Sequence, residues 1–286
     1  MNRFQRFVES ELQYMGINHK SVSLIRNKDG VSVWRVQTDE TCYVIKCFEK
    51  AEHRREIVNY QMLITLKIPT LRMIAHTKYS IALEDIAQSK YRLGVPEDMN
   101  DTQIAKLVAT WYKTLHENGR GYVGLQSLYD ECDYLTIANI VNIKEQTNTN
   151  GLCVWSVIEK YFDTIKSIAM SLPRTITYND FYYTNLAVAK DASAALVFDY
   201  NLLGKGYVYA DIRNVCSSLG DDAKATFLLE YGDFDENEKM VDDVVSHLVT
   251  LHFACEHKTF PNWAAQSLDM VKDGRLLLAV KKLLGV

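Results

Sequence analysis

Residues 175–199, TITYNDFYYTNLAVAKDASAALVFD, constrain this chain more than any other segment. Two apolar runs, Leu-Ala-Val after Asn185 and Ala-Leu-Val-Phe before Asp199, flank the turn Lys190-Asp191-Ala192-Ser193. That pattern predicts a β-hairpin whose second strand ends at Asp199. Ahead of it, Asp180 and Asn185 stand in the spacing D-x-x-x-x-N. Phosphoryl-transfer loops use this spacing: the Asp accepts the proton of the substrate hydroxyl and the Asn reaches a metal ion. The loop must curl so that both side chains face one cavity, and Asp199 would then lie beside Asn185. One carboxylate and one amide oxygen suit Mg²⁺, a hard ion that also takes phosphate oxygens and water. The bland alternative is an Asx-turn and a helix cap, the commoner role of Asp and Asn in loops.

The chain before this segment changes texture once. Segments 21–25, 31–37 and 41–48 are rich in Val, Ile, Tyr and Trp, and the polar breaks 27–30 and 38–40 separate them. They predict an antiparallel meander with tight turns. A helix is expected over 51–66, with Ile57, Tyr60, Leu63 and Ile64 on one face and Pro69 as its stop. Strand-like runs follow near 71–76 and 80–83. After Glu84 the expected elements are mainly helical: 101–118, capped by Asp101, then 155–172, 211–219, 221–231, 236–255 and 261–284. The expected domains are 1–85, a small β-rich lobe, and 86–286, a larger and mainly helical one.

A phosphate-handling site also needs a cation. Lys46 ends the apolar run Tyr43-Val44-Ile45, and a Lys in that context requires an anionic partner. Glu56 lies on the next helix, on the face of Tyr60 and Leu63, and Glu52 lies one turn earlier. Strand Lys, helix Glu, D-x-x-x-x-N and strand-end Asp follow the chain order of protein kinases.

On the residues Tyr178-Asn179-Asp180-Phe181 with Asn185, then Phe198-Asp199-Tyr200, then Tyr209-Ala210-Asp211, the chain resembles the aminoglycoside phosphotransferase/choline kinase-like family. The resemblance runs from the first strands to about residue 216. It implies an α+β, two-lobed protein-kinase-like fold: a small antiparallel sheet and one helix, then a helical lobe with a catalytic hairpin. It implies Asp180 as catalytic base, Asn185 and Asp199 as Mg²⁺ ligands, and Lys46, held by Glu56, on the nucleotide phosphates. Leu83-Glu84-Asp85-Ile86 resembles the hinge, where backbone groups of Glu84 and Ile86 would hold the base of ATP or GTP. Asp211 would brace the catalytic loop. The family's His two residues before the catalytic Asp is Tyr178 here, and its Gly is Asn179. The 26–32 turn contains only Gly30 and is no glycine-rich loop, so phosphate coverage there would rest on backbone N–H groups and Ser32.

Other classes fit poorly. Lys+Arg 32 against Asp+Glu 36 leaves a formal charge of −4, with no basic excess for nucleic acid. No apolar run approaches the roughly 18 residues of a membrane helix, and the N-terminus has no apolar signal-peptide core. Six cysteines without zinc spacing or paired framework point to reduced thiols and a cytoplasmic protein. No Walker A, G-x-S-x-G or H-E-x-x-H motif occurs. Residues 201–205 are too short for a peptide-docking activation segment, which favours a small-molecule acceptor. The acidic stretches 129–133 and 233–238 would suit a cationic acceptor or are simply solvated. Two readings follow. One is Mg²⁺-dependent transfer of the γ-phosphate of ATP or GTP to a hydroxyl of a small aminoglycoside-, choline- or sugar-like molecule. The other is a kinase-fold nucleotide sensor or scaffold without significant turnover.

Overall fold

The structure is a computed structural model and describes residues 3–286. In chain order its regular elements are α1 (Arg3–Tyr14), β1 (Ser21–Lys28), β2 (Val31–Gln37), β3 (Cys42–Phe48), α2 (Arg55–Thr65), β4 (Met73–His76), β5 (Ser80–Glu84), β6 (Tyr91–Leu93) and α3 (Thr102–Gly119). There follow α4 (Ile137–Gln146), α5 (Cys153–Lys160), α6 (Phe162–Ser171), β7 (Thr175–Thr177), β8 (Leu186–Ala189) and β9 (Ala195–Val197). The chain closes with β10 (Gly204–Gly206), α7 (Val208–Cys216), α8 (Asp221–Tyr231), α9 (Glu236–Cys255), α10 (Ala265–Lys272) and α11 (Arg275–Leu284). The architecture is α+β: a five-stranded N-terminal sheet, then a mainly helical region with two small sheets.

The first five strands form one antiparallel sheet in the order β1-β2-β3-β5-β4. Asp29 and Gly30, with φ of 54° and 86°, make the two-residue turn between β1 and β2. Two successive positive φ values match the right-handed twist of the flanking strands. Of the polar break expected at 27–30, Asn27 and Lys28 belong to β1 and only Asp29 and Gly30 form the turn. Alternation assigns the faces of β2 and β3. Trp34, Val36, Ile45 and Cys47 pack on Val8 and Leu12 of α1, and Val33, Arg35, Val44 and Lys46 line a cavity on the other face. α2 ends with Lys67 at φ 57° and with the Ile68 N–H donating to the Leu63 carbonyl, a left-handed cap just before Pro69.

The chain divides into two compact units. One holds residues 3–119, 178–203 and 214–232, and the other holds 120–177, 204–213 and 233–286. In the first, the sheet β6-β8-β9 contains the hairpin at 186–197, and α3 packs against α8 and β9. The second is built on α9, with Val241, Val244, Val245 and Leu248 buried among side chains of α4, α5, α6 and α11. Its strands β7 and β10 pair antiparallel.

Two expected helices differ in detail. The 155–172 segment is two helices broken at Tyr161, and 261–284 is two helices separated by Gly274 at φ 85°, a left-handed position where glycine is unstrained. α4 was not foreseen, although Thr136 caps it by accepting from the Asn139 N–H.

Candidate active site

Lys46 is the centre of the site. Its Nζ donates to both carboxylate oxygens of Glu56 at 2.7 Å and to Asp199 Oδ1 at 3.1 Å. Glu56 is 1% exposed and Asp199 is 39% exposed, so one partner is sealed and the other reaches solvent. Burial pulls the Lys46 ammonium down, but the Glu56 and Asp199 carboxylates outweigh it and hold the group above the ordinary lysine value. Burial pushes Glu56 up, with Asp199 adding to that and Lys46 opposing it. Glu52, the other candidate partner, lies near Lys50 and His53 instead.

Asp199 sits at the end of the hairpin with φ 67°, a left-handed backbone that a non-glycine residue adopts only under local constraint. The constraint is visible on both sides. The Tyr178 hydroxyl donates to the Phe198 carbonyl at 2.5 Å, and the buried Asn59 Nδ2 donates to the Tyr200 carbonyl at 2.8 Å. The Tyr200 ring packs edge-on against Tyr60 at 4.6 Å. Tyr178 is fully buried, so it acts as a core ring that also fixes the hairpin's end.

Asp180 and Asn185 are in contact. Asn185 Nδ2 donates to the carbonyl and to Oδ2 of Asp180, both at 3.0 Å, which leaves the Asn185 amide oxygen as its free acceptor. Burial and the Asp199 charge push the Asp180 carboxyl up to about 6, against the Asn185 hydrogen bond. Asn179 has φ 65° and donates to the Leu202 carbonyl. Asn is among the few side chains that tolerate this backbone. Two residues that sequence reasoning missed also hold the loop: Asn214 Oδ1 accepts from the Phe181 N–H at 2.7 Å, and Ser218 Oγ donates to the Phe181 carbonyl.

Lys46, Glu56, Asn185 and Asp199 line one cavity of about 580 Å³. Glu84, Asp85 and Ile86 form another part of its wall. That segment is fastened by side chains. Arg35 Nε donates to Asp85 at 2.6 Å, Asp85 Oδ1 accepts the Ala87 N–H, and Glu84 Oε1 accepts the Arg72 N–H at 2.7 Å. The wall between is apolar, with Ile25, Val33, Val44, Leu83 and Phe198. Ser32 is not brought to the site. It is 5% exposed on the α1 face of β2, hydrogen-bonded to the Cys47 thiol. Alternation that sends Val31 and Val33 toward the cavity sends Ser32 away from it. Asp211 is fully buried in the first turn of α7, within the second unit.

Among the described residues, no three His, Cys, Asp or Glu side chains group to cage a metal ion. Asp199 and the free amide oxygen of Asn185 are nonetheless hard oxygen donors of the kind that hold Mg²⁺ together with phosphate oxygens and water. Among the described residues no helix is long and apolar enough to cross a membrane, and all six cysteines are free.

The chain matches no model of a known protein family and no curated protein sequence. Its fold is matched by solved structures. The choline kinase of Streptococcus pneumoniae superposes with a TM-score of 0.67 at 13% identity, over 98% of this chain and 100% of that one. An ethanolamine kinase of Plasmodium vivax gives 0.63 at 12%, over 91% and 84%. A spectinomycin phosphotransferase, in complex with ADP and spectinomycin, gives 0.57 at 13%, over 98% of both chains. The fold is therefore the protein-kinase-like one shared by choline kinases and antibiotic phosphotransferases, across nearly the whole chain.

Proposed function

We propose that the chain is a Mg²⁺-dependent phosphotransferase that moves the γ-phosphate of ATP or GTP to a hydroxyl of a small polar molecule. The observation that carries this reading is the Lys46 ammonium, held by Glu56 and Asp199 in the wall of a cavity that Asn185 also lines. In this reading residues 1–85 supply most contacts to the nucleotide, and 86–286 supply the catalytic loop and the acceptor contacts. Glu56 aims Lys46 at the phosphates. The apolar wall takes the base, whose edge meets the backbone of Glu84 and Ile86. Asn185 and Asp199 would hold Mg²⁺, which supplies charge neutralisation on the phosphates when bound. Asp180 orients the acceptor hydroxyl and takes its proton, and its Asn185 hydrogen bond keeps the carboxylate aimed. Most of the rate comes from positioning and fixed charge.

The relatives in fold support a small acceptor. Two are named for the amino-alcohols choline and ethanolamine, and the third was solved with ADP and its antibiotic. The test is transfer of label from γ-labelled ATP and GTP to panels of amino-alcohols, aminosugars and sugars. The reading expects one class to accept label, with Asp180→Asn lowering the rate by roughly 10²–10⁴, the usual contribution of a positioned base. Turnover of the accepted class that survives Asp180→Asn would remove Asp180 from its role. Nucleotide binding without transfer to any class would favour the sensor or scaffold reading.

A further inference from the structure

A bulge decides which side chains of β1 face the site. Leu24 lies opposite Trp34, but Arg26 lies opposite Val33, so Ile25 is an extra residue in the strand. Residues opposite one another in an antiparallel pair share a face of the sheet. Leu24 therefore shares the α1 face of Trp34, while Arg26 and Lys28, opposite Val33 and Val31, share the cavity face. Without the bulge, Arg26 would pair with Ser32 and point to the other side. One inserted residue turns both cations toward the site, a recognised use of bulges beside functional cavities.

Both cations line a second cavity of about 230 Å³, which also has Lys46 and Asp199 in its wall and so adjoins the first. Two more polar groups reach it. His53 Nδ1 and Asn201 Oδ1 are buried without a hydrogen-bond partner. An unpaired buried polar atom costs stability unless a ligand or water satisfies it. Arg26 makes no ion pair among the described residues. Lys28 has only a 3.6 Å contact with Asp29, both side chains being exposed, and such pairs hold their partners weakly. Of the cavity's other carboxylates, Glu56 is already paired with Lys46.

We propose that Arg26, Lys28 and His53 form a side-chain clamp for the outer phosphates of a polyphosphate chain. It stands where a glycine-rich loop would offer backbone N–H groups, and where neither such a loop nor Ser32 is available. The clamp rests on the nucleotide reading of the same site and adds to it the residues that meet the terminal phosphates.

The probe is inorganic tripolyphosphate with Mg²⁺ and no nucleotide, titrated calorimetrically. Wild type is expected to bind it. The double variant Arg26→Ala with Lys28→Ala is expected to bind at least tenfold more weakly, and His53→Ala severalfold more weakly. All three substituted positions are exposed or half-buried, and unchanged melting without ligand verifies the fold. A control pair of exposed lysines on the other unit, Lys272→Ala with Lys281→Ala, is expected to change affinity less than twofold. The clamp is overturned if wild type does not bind tripolyphosphate, if the double variant binds as tightly as wild type, or if the control loses as much. Its fate separates from that of the enzyme. A chain that binds tripolyphosphate through these residues yet transfers no phosphate keeps the clamp and loses the phosphotransferase reading. Transfer to an acceptor with undiminished affinity in the double variant does the reverse.

Discussion

The Tyr178 hydroxyl donates to the carbonyl of Phe198 at 2.5 Å, and this bond fastens the segment carrying Asp180 to the one carrying Asp199. The two carboxylates interact electrostatically as a result, which is part of why Asp180 is hard to ionise. Tyr178→Phe keeps the buried ring and strands the carbonyl. The expected loss is about 1–2 kcal/mol in urea unfolding, the cost of an unpaired buried acceptor. In the phosphotransferase reading the same variant raises KM for the Mg²⁺–nucleotide, because Asp199 follows the freed carbonyl. An unchanged unfolding midpoint would show that water replaces the bond without loss.

Asp180 makes the protein's behaviour depend on pH in a defined direction. Its carboxyl is pushed up to about 6 in the folded chain, against about 3.9 when unfolded. A carboxyl raised on folding favours the protonated form. Its contribution to stability is complete below about pH 4 and is lost as pH rises through about 6. Asp180→Asn is therefore expected to stabilise the ligand-free protein by about 1 kcal/mol at pH 7.5, a value discounted for the group's partial exposure. The gain should vanish near pH 4. Activity runs the other way, since a base must be ionised. The expected kcat/KM rises with unit slope up to about pH 6 and then levels. A gain in stability that grows toward low pH would contradict the assignment.

Lys46 tests the buried pair. Lys46→Ala leaves Glu56, 1% exposed, beside no cation. Removing one partner of a buried pair typically costs about 3–5 kcal/mol. Adding Glu56→Gln to Lys46→Ala is expected to recover part of that loss, because the stranded charge is gone. Chemical unfolding of the single and double variants reads the coupling. Strictly additive losses would mean that the two side chains do not act as a pair.

Asn179 separates backbone strain from hydrogen bonding. Asn179→Gly keeps the left-handed backbone at ease and gives up the bond to the Leu202 carbonyl, so about 1 kcal/mol is expected. Asn179→Ala loses the bond and also the short polar side chain that makes Asn tolerant of that backbone, adding roughly 1 kcal/mol. Equal losses in the two variants would show that the φ value carries no strain.

How much of this was legible in the sequence follows from what each signal depends on. The richness of 31–37 and 41–48 in Val, Ile, Tyr and Trp between polar breaks is a purely local signal, so strands β2 and β3 were readable. The five-residue spacing of Asp180 and Asn185 is closed by a short loop, and their contact lies within reach of local geometry. Ser32 was misjudged because its face depends on the parity of β2 relative to α1, which no motif encodes. The bulge at Ile25 is a further parity change, visible only in the pairing of β1 with β2. Asn214, Ser218 and Asn59 hold the site from residues distant in sequence, and single polar residues inside helical patterns carry no mark of such a role. Gly274 is a breaker that helical periodicity on both sides of it concealed.

The most direct test of the central claim is thermal melting with Mg²⁺ and ATP or GTP, comparing wild type with Asp199→Ala. A ligand that binds only the folded chain raises the melting temperature, by roughly 5 °C or more at a hundredfold excess over Kd for a protein of this size. The account predicts such a rise in wild type, dependent on Mg²⁺ and lost in Asp199→Ala. No rise with either nucleotide would contradict the claim that this cavity is a nucleotide site.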